Sequence, residues 1–388
     1  MALTLSRRAA RIAKAEIRNM TVECERVGGI NLAQGVCDLP VPPPVATGAA
    51  DAIHGGGNAY TRHDGIARLR RAIAGKMQSM NGITADPETE VVVSAGSTGA
   101  LFCAVYALLD PGDEVILFEP YYGYHVNTLL AVDAVPKYVR MHAPEWTYDL
   151  DELRRAITPK TRAILLNTPG NPTGKVYSRE ELAGIARLAA EHDLFVFTDE
   201  MYEYFVYDGA EHVSIGAFPD AKDRTITISG YSKTFNITGW RIGYAVADAR
   251  WAEMIGYVND LVYVCAPAPL QAGVAAGIET LGRDYYDGLV TDFRAKREKL
   301  CSALREAGFG LASPRGAYYV LADASHIPGR DSKERALRLL REARVASVPG
   351  GAFFHDEAGE NFLRFCFAKE DAELDEAAGR LQTFSARV

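Results

Sequence analysis

The chain has 388 residues, of which 48% are hydrophobic and 24% are charged, and its net charge is -8. This length exceeds what one ordinary core supports, so we expect two domains. The acidic balance argues against a nucleic-acid partner, and no apolar run reaches the roughly 18 residues of a membrane helix, so we expect a globular protein with neither nucleic-acid nor membrane partners.

The N-terminal segment from Ser6 onward is basic and amphipathic. A transit peptide has a similar composition, but the amphipathic pattern continues past Glu16, which favours a surface helix that belongs to the fold.

The six cysteines are scattered without a C-x-x-C pair, and the eight histidines show no H-x-x-x-H spacing. These spacings are typical neither of a metal site nor of a disulfide framework. A reducing cytoplasm is therefore the expected location.

From about Val91 the sequence alternates short apolar runs with amphipathic helical stretches. Predicted strands begin at Val91, Glu114, Ala163, Leu194 and Thr225. One helix begins with Ser178 followed by Glu181, which is a capping-box pattern. Strands that alternate with helices predict crossover units and a mostly parallel sheet.

The C-terminal part has a different pattern. It predicts a helix at 289–307, a strand at 316–321, a helix at 332–343 and a strand at 362–367. We interpret this part as a smaller α+β domain that the N-terminal residues join. The predicted division is residues 1–45 and 290–388 for the small domain and 46–289 for the large domain.

Ligands of a parallel sheet lie beyond the carboxyl ends of its strands, and polar motifs follow several of the predicted strands. The turn Ser94–Gly99 precedes a helix, whose free N–H groups suit a phosphate, although many such turns are only turns. The loop Asn167–Gly174 is either a rigid turn or a means of directing Asn171 toward a cofactor ring oxygen.

A carboxylate and a phenol follow the strand that begins at Leu194. Asp199 is either a helix cap or the partner of a protonated ring nitrogen, and Tyr202 could bond a ring hydroxyl. Glu200 is a rival carboxylate, but strand alternation directs it the other way.

The segment Ser229–Gly243 contains Lys233 among small residues and Arg241 eight positions later. A lysine in such surroundings can form a Schiff base with an aldehyde, and an arginine fork can hold a phosphate. Together they indicate pyridoxal 5′-phosphate (PLP). A solvated lysine is the ordinary alternative, but the apolar neighbours favour a desolvated base with a lowered pKa.

Arg364 lies inside the apolar run 362–367. A charge in that position needs a partner, which is either a salt bridge within the small domain or the carboxylate of a substrate.

These features, in this order, resemble the class I/II aminotransferases of PLP fold type I, in particular the aspartate, kynurenine and glutamine transaminase-like branch. The resemblance extends from about Asn31 to Phe367 and rests on the following motifs: S-x-x-x-x-G at 94–99, N-P-T-G at 171–174, D-x-x-Y at 199–202, S-K-x-x-x-x-x-G-W-R at 232–241 and R-F at 364–365. It implies an α/β fold, with a large domain built on a mostly parallel seven-stranded sheet covered by helices and a smaller α+β domain formed by both termini.

The resemblance also implies roles for individual residues. Lys233, Asp199 and Tyr202 would be catalytic, with PLP covalently bound to Lys233. The other residues that would contact the cofactor are Gly96, Ser97, Thr98, Tyr122, Asn171, Ser232 and Arg241. Substrate would be held by Gly35, Asn171 and Arg364. Tyr60 would reach the phosphate of the neighbouring subunit, which implies a homodimer with shared sites.

Two positions depart from the family pattern. Gly230 stands where some members have a phosphate-binding serine, so either Ser229 or Ser232 must supply the hydroxyl, and we prefer Ser232. The loop Gln34–Asp38 reads Q-G-V-C-D where the glutamine and kynurenine branch usually has Q-G-F-P-D. The exchanged residues, Val36 and Cys37, leave the substrate open.

The predicted activity is ping-pong transfer of an amino group from an L-amino acid to a 2-oxo acid. The same fold also supports β-elimination, decarboxylation and oxygen-dependent oxidation or hydroxylation. A non-catalytic PLP-binding module is a remote alternative, because too few residues precede Asn31 for a DNA-binding domain. A Rossmann dehydrogenase is disfavoured by the lack of a G-x-G-x-x-G motif after the first strand.

Overall fold

The computed structural model describes residues 3–37 and 39–385, so Asp38 of the Gln34–Asp38 loop lies outside the described residues. The first part of the chain forms α1 (Arg7–Arg11), α2 (Glu16–Val27), β1 (Ile30–Asn31), α3 (Pro43–His54) and α4 (Ala67–Lys76). Helix α1 lies on the surface, where Arg8 and Arg11 pair with Asp133. In the described ranges, no helix is both long enough and apolar enough to cross a membrane.

The middle of the chain alternates strands and helices, as predicted. Its elements are β2 (Val91–Ala95), α5 (Gly96–Leu108), β3 (Glu114–Glu119), α6 (Gly123–Ala131), β4 (Val135–Arg140), α7 (Leu150–Ala156), β5 (Thr161–Asn167), α8 (Arg179–Glu191), β6 (Phe195–Asp199), β7 (Thr225–Gly230), β8 (Ile242–Val246), α9 (Ala249–Tyr263) and α10 (Ala268–Thr280). Helix α8 begins with the predicted capping box, in which Ser178 and Glu181 bond each other's backbone N–H.

The strands of this region form a seven-stranded sheet in the order β2-β8-β7-β6-β5-β3-β4. All neighbours are parallel except at β8, which runs antiparallel to β2 and β7. The mostly parallel sheet is therefore confirmed.

Helices cover both faces of the sheet. Val115 and Leu117 of β3 pack into the same core cluster as Leu101 of α5, whereas Ile116 and Phe118 belong to the cluster on the opposite face. Side chains alternate between the two faces of a strand, so a strand buried on both faces reads as a continuous apolar run.

The C-terminal part forms α11 (Arg283–Glu306), β9 (Tyr319–Asp323), α12 (Ser332–Ala343), β10 (Val345–Ala346), β11 (Val348–Pro349), β12 (Phe362–Cys366) and α13 (Asp371–Ser385). Strands β11, β12 and β9 make a smaller antiparallel sheet, and β1 pairs with β10, so the N-terminal residues do join this part. The division at 45/46 and 289/290 stays a prediction, and α3 and α11 each run continuously across one of these points.

The strand register brings the predicted site motifs to one edge of the large sheet. Asn167 lies opposite Asp199 across β5 and β6, and Asp199 lies opposite Ile228 of β7. Ala95, at the end of β2, lies opposite Ile242, at the start of β8. The loops that follow these strands therefore meet around one cavity.

Candidate active site

A cavity of ≈ 440 Å³ opens at this edge, between the large sheet, the N-terminal segment and strands β9 and β12. The predicted site residues that line it are Gly35, Ser97, Thr98, Tyr122, Asn171, Asp199, Tyr202, Ser232, Lys233, Arg241 and Arg364. Gly96 packs against Arg241 behind this lining, and Tyr60 is an exposed residue that does not line the cavity.

One end of the cavity is formed by backbone at the start of α5. Because Ala95 pairs with Ile242, Arg241 is brought beside Gly96, the first residue of that helix. A Cβ added to Gly96 would lie 2.3 Å from Nη2 of Arg241, and the positive φ of +73° at this position also favours glycine. Helix N–H groups and a guanidinium converge here, which suits a phosphate.

Close backbone packing also explains Gly230. A Cβ at this position would lie 2.9 Å from Cα of Gly243 on the paired strand β8. The neighbouring Ser229 is fully buried and donates its hydroxyl to Oε1 of Glu203 at 2.8 Å, whereas Ser232 lines the cavity. The geometry thus favours Ser232 as the hydroxyl donor at the phosphate end.

Lys233 lines the cavity. Its Nζ donates a hydrogen bond to the carbonyl oxygen of Gly35 at 2.7 Å and lies 5.8 Å from the ring centroid of Tyr318. Burial lowers the pKa of the amine to about 8, and the positive charges of Arg241 and Arg364 act in the same direction. A neutral amine is the form that can attack an aldehyde or accept a proton.

The carboxylate of Asp199 is held by a residue that the sequence analysis did not identify. Nε2 of His125, on α6, donates to Oδ2 of Asp199 at 2.9 Å, and the backbone N–H of Met201 donates to Oδ1 at 3.2 Å. Glu200 faces away from the cavity and bonds His212 and Ser214, which agrees with the expected strand alternation. Asp199 is therefore the carboxylate available to a ligand.

The guanidinium of Arg364 is fully buried at the other end of the cavity. Nη1 donates to Oδ1 of Asn171 at 2.8 Å and Nη2 donates to the carbonyl oxygen of Ala33 at 2.5 Å. The ring centroid of Tyr319 lies 4.3 Å away, and no carboxylate in the described ranges pairs with this charge. The predicted alternative of a salt bridge in the small domain is thus not observed, and Nε also lacks a partner within those ranges.

Two buried phenols meet in the wall of the cavity. The hydroxyls of Tyr202 and Tyr319 lie 2.9 Å apart. Burial raises the pKa of Tyr202 well above its usual value and raises the pKa of Tyr319 to about 12, so both are neutral donors at physiological pH. A Cβ at Gly35 would lie 1.8 Å from the hydroxyl oxygen of Tyr319, which explains the glycine in that loop.

The ring of Tyr122 lines the cavity beside Asp199 and its supporting histidine. The rings of Tyr122 and His125 meet edge to face, with centroids 5.2 Å apart. Tyr124 stacks against Tyr122 at 5.2 Å and lines the cavity as well. An aromatic wall therefore stands beside the carboxylate, where a planar ring can pack.

These donors match the functional groups of PLP. The cavity offers an amine for the aldehyde, a carboxylate for the ring nitrogen, and amide and phenol groups for the ring hydroxyl. The helix N-terminus, Ser232 and Arg241 suit the phosphate. Arg364 is not among these groups, so its buried guanidinium is available to bind a carboxylate.

Comparison with known proteins agrees with this chemistry. The model of the family "Aminotransferase class I and II" matches residues 27–381. The probable N-succinyldiaminopimelate aminotransferase DapC of Mycobacterium tuberculosis H37Rv is 38% identical over 380 residues, covering 95% of each chain. The kynurenine–oxoglutarate transaminase of Dictyostelium discoideum is 33% identical, covering 92% of this chain and 91% of its own.

Solved structures show the same architecture. The N-succinyldiaminopimelate aminotransferase of Mycobacterium tuberculosis superposes with a TM-score of 0.94, covering 98% of this chain and 100% of its own, at 38% identity. A double mutant of the Thermus thermophilus aspartate aminotransferase gives a TM-score of 0.92 at 33% identity, covering 99% and 100%. The chain therefore belongs to the class I and II aminotransferases, and it is a PLP-dependent transaminase of fold type I.

Proposed function

We propose that the protein transfers the amino group of an L-amino acid to a 2-oxo acid in two half-reactions, with Lys233 as the cofactor lysine. The observation that supports this most strongly is the convergence of Lys233, Asp199 and Arg364 on one cavity. PLP supplies an electron sink when it is bound, and the protein's own side chains bind the substrate and move its protons.

Lys233 binds the cofactor and moves the proton of the substrate's α-carbon. Its amine has a pKa lowered to about 8, so an appreciable fraction is neutral near pH 7 and can accept a proton. The hydrogen bond to the carbonyl of Gly35 directs the amine toward the loop that contains Gly35.

Asp199 maintains a negative charge opposite the ring nitrogen, and His125 fixes the orientation of that carboxylate. Asn171 and Tyr202 bind the ring hydroxyl, and Tyr122 packs on the ring. Gly96, Ser97, Thr98, Ser232 and Arg241 hold the phosphate. Together these residues would hold the cofactor in one orientation within reach of Lys233.

Arg364 binds the α-carboxylate of the substrate, with Asn171 beside it. A buried guanidinium without a carboxylate partner gains a strong bidentate contact when substrate enters. The relatives carry names with different substrates, namely N-succinyldiaminopimelate and kynurenine, which share an α-amino acid unit. In this protein, Arg364 and Asn171 can recognise that shared unit.

A homodimer is the proposed assembly, with Tyr60 donated to the partner's site. Tyr60 is 83% exposed, and exposed apolar side chains on α9 include Tyr257 and Leu261. Exposed apolar patches of this kind are typical of subunit interfaces. The cytoplasm is the proposed location, since none of the six cysteines, all of which lie in the described ranges, forms a disulfide.

The central test of this function is a half-reaction. PLP-loaded protein is mixed with single amino acids, and the absorbance of the lysine-bound cofactor is followed. We expect it to disappear and to return when a 2-oxo acid is added. Lys233→Ala should abolish the response, whereas Lys160→Ala, at an exposed lysine, should not. A wild-type protein that responds to no amino acid would refute the proposal.

The shared-site dimer can be tested by mixing two inactive variants. Lys233→Ala and Tyr60→Ala subunits, unfolded together and refolded, should form hybrids that contain one intact site. The mixture should then exceed the summed activity of the separate variants. Strictly additive activity would show that Tyr60 acts within its own subunit or not at all.

A further inference from the structure

Glu203 is a buried carboxylate to which the proposed chemistry assigns no role. It is 1% exposed and does not line the cavity, but it belongs to residues 199–203, the carboxylate turn, which also carries Asp199 and Tyr202. Its carboxylate is paired with the ammonium of Lys76, a buried residue of α4. Both charges lose their hydration in such a pair, so it often adds little net stability and can instead specify geometry.

Each oxygen of this carboxylate accepts from a different segment. Oε2 accepts from Lys76 and, at 2.9 Å, from Nδ2 of Asn81, which ends the π-helical turn that continues α4. Oε1 accepts the hydroxyl of Ser229, on β7, at 2.8 Å. Burial acts to raise the pKa of Glu203, but the charges of Lys76 and His212 and the hydrogen bonds lower it below its usual value, so the group is an anion that holds its donors strongly.

Ser229 connects Glu203 to residues 229–233, the lysine segment, which ends at Lys233. The side chain of Ser229 is fully buried, and its hydroxyl also lies 3.2 Å from the carbonyl oxygen of Glu200. Both of these acceptors belong to the carboxylate turn. The hydroxyl therefore holds the first residue of the lysine segment against that turn.

This contact follows directly on the last backbone pairing between β6 and β7. The two strands pair as far as Asp199 and Ile228, and the N–H of Glu200 then donates to the carbonyl oxygen of Ile228 at 2.8 Å. Strand β7 continues in its pairing with β8, whereas the carboxylate turn leaves the sheet. The side-chain hydrogen bond thus extends the connection between the two segments past the end of their paired strands.

Both segments supply side chains to the proposed cofactor site. Asp199 and Tyr202 of the carboxylate turn line the cavity, as do Ser232 and Lys233 of the lysine segment. PLP must meet the carboxylate of Asp199 and the amine of Lys233 at once, so its affinity depends on the separation of the two segments. A contact that fixes this separation contributes to cofactor binding without touching the cofactor.

We infer that Ser229 and Glu203 are positioning residues, whose hydrogen bond sets the separation between the carboxylate turn and the lysine segment and thereby strengthens cofactor binding. This inference rests on the proposed role of Lys233 and extends it to residues outside the cavity. Without the bond the two segments vary in separation, and part of the binding free energy of the cofactor is spent on ordering them. Arg364 belongs to neither segment, so the proposed contact with the substrate carboxylate is little affected.

The PLP affinity of Ser229→Ala tests the inference. This substitution removes the hydroxyl but leaves Glu203 paired with Lys76, so it creates no unpaired buried charge. We expect folded Ser229→Ala apoprotein to bind PLP about fivefold more weakly than wild type, as measured by a titration that follows the absorbance of the lysine-bound cofactor. Urea denaturation of the apoprotein reports its stability separately.

Ser214→Ala is the matched control. Ser214 is also a buried serine beside these carboxylates, but its hydroxyl donates to Oε2 of Glu200 at 2.5 Å and not to Glu203. It should lose stability as Ser229→Ala does and retain the PLP affinity of wild type within about twofold. Unchanged PLP affinity in Ser229→Ala, or equal weakening in both serine variants, would overturn the inference.

A double variant shows whether the two residues act through one contact. Glu203→Gln should also weaken PLP binding, and Ser229→Ala combined with Glu203→Gln should bind PLP no more weakly than the weaker single variant, because both changes break the same bond. Multiplied effects would mean that the residues act separately and would contradict the inference. If Glu203→Gln does not fold, the comparison of the two serine variants decides alone.

Half-reaction rates at saturating PLP locate the effect. In Ser229→Ala the limiting rate with an amino acid should fall about threefold, while the half-saturating amino acid concentration should change less than about twofold. A change confined to the half-saturating concentration would place the effect on substrate binding and refute the positioning role. A wild type that binds PLP but reacts with no amino acid would refute the transamination proposal alone, since PLP affinity is measured without turnover.

Discussion

The two ends of the active-site cavity are built in different ways. The end at which we propose that the phosphate binds is made of backbone and glycines, with Gly96 and Gly243 packed so closely that a Cβ on Gly243 would lie 2.4 Å from the backbone nitrogen of Ser97. The end at which we propose that substrate binds is made of side chains from distant segments, among them Asn171, Tyr319 and Arg364. The cofactor end is therefore fixed by local geometry, while the substrate end depends on how separate segments pack.

The comparison predicts that changes near the cofactor ring affect all substrates alike. Asp199→Asn should lower turnover about 10²–10³-fold for every amino acid, because a neutral amide cannot stabilise the protonated ring nitrogen. Steady-state rates of purified holoenzyme measure this. Glu200→Gln, next to it but facing away, should retain turnover per folded molecule. A loss confined to one substrate class would contradict the distinction between the two ends.

Changes at the carboxylate anchor should leave the cofactor in place. Arg364→Lys should lower kcat/KM about 10–100-fold, because lysine cannot make the bidentate contact, and should leave PLP affinity unchanged. Rate measurements and a PLP titration separate the two effects. Arg297→Lys is the control, since Arg297 is also a buried arginine but pairs with Asp208. Weakened PLP binding in Arg364→Lys would mean that the two ends are not independent.

The phosphate end should tolerate little added volume. Gly230→Ser should lower the free energy of unfolding of the apoprotein by about 1–3 kcal/mol, because its Cβ would press on Gly243. Ser232→Ala should leave stability nearly unchanged and weaken PLP binding about fivefold. Urea denaturation and PLP titration provide the two readouts. Tighter PLP binding by Gly230→Ser without loss of stability would reverse the assignment of the hydroxyl.

The smallest expected effect concerns pH. Burial lowers the pKa of Lys233 to about 8, and only the neutral amine reacts with an aldehyde. The rate of PLP incorporation into apoprotein should rise about fivefold from pH 7 to 8 and then level off. Stopped-flow absorbance measures it, and a rate that keeps rising beyond pH 10 would indicate an unperturbed lysine.

The same shift affects stability. The unfolded chain retains the proton of this lysine up to its usual pKa of 10.5, whereas the folded apoprotein loses it near 8. Because the unfolded state binds more protons in that interval, this group makes the folded state more stable as pH rises from about 8 to 10.5. Lys233→Met should remove that dependence from denaturation curves measured across the interval.

Much of the fold followed from the sequence, since buried parallel strands appear as short apolar runs. Two strands of the large sheet were not predicted. β4 is an edge strand whose apolar pattern is interrupted by Pro136 and Lys137. The first residues of β8 belong to the segment Ser229–Gly243, which was interpreted as a cofactor site rather than as a strand. Edge strands tolerate proline and charge, which removes the pattern that identifies a buried strand.

The site shows the same contrast. Residues at the end of a strand or in the loop that follows it, such as Asp199 and Lys233, stand in local motifs that indicate their chemistry. His125 lies on helix α6, where a single histidine has no distinguishing pattern. Its contact with Asp199 depends on packing between distant segments, which the sequence of a single chain does not display.

The central claim is that Lys233 is the residue that holds the cofactor. Wild-type holoenzyme can be reduced with borohydride to fix the cofactor to its lysine, digested and sequenced by mass spectrometry. We predict that the modified peptide contains Lys233 and that the modification lies on that residue alone. Stoichiometric modification of another lysine, or none in protein that carries bound PLP, would contradict the account.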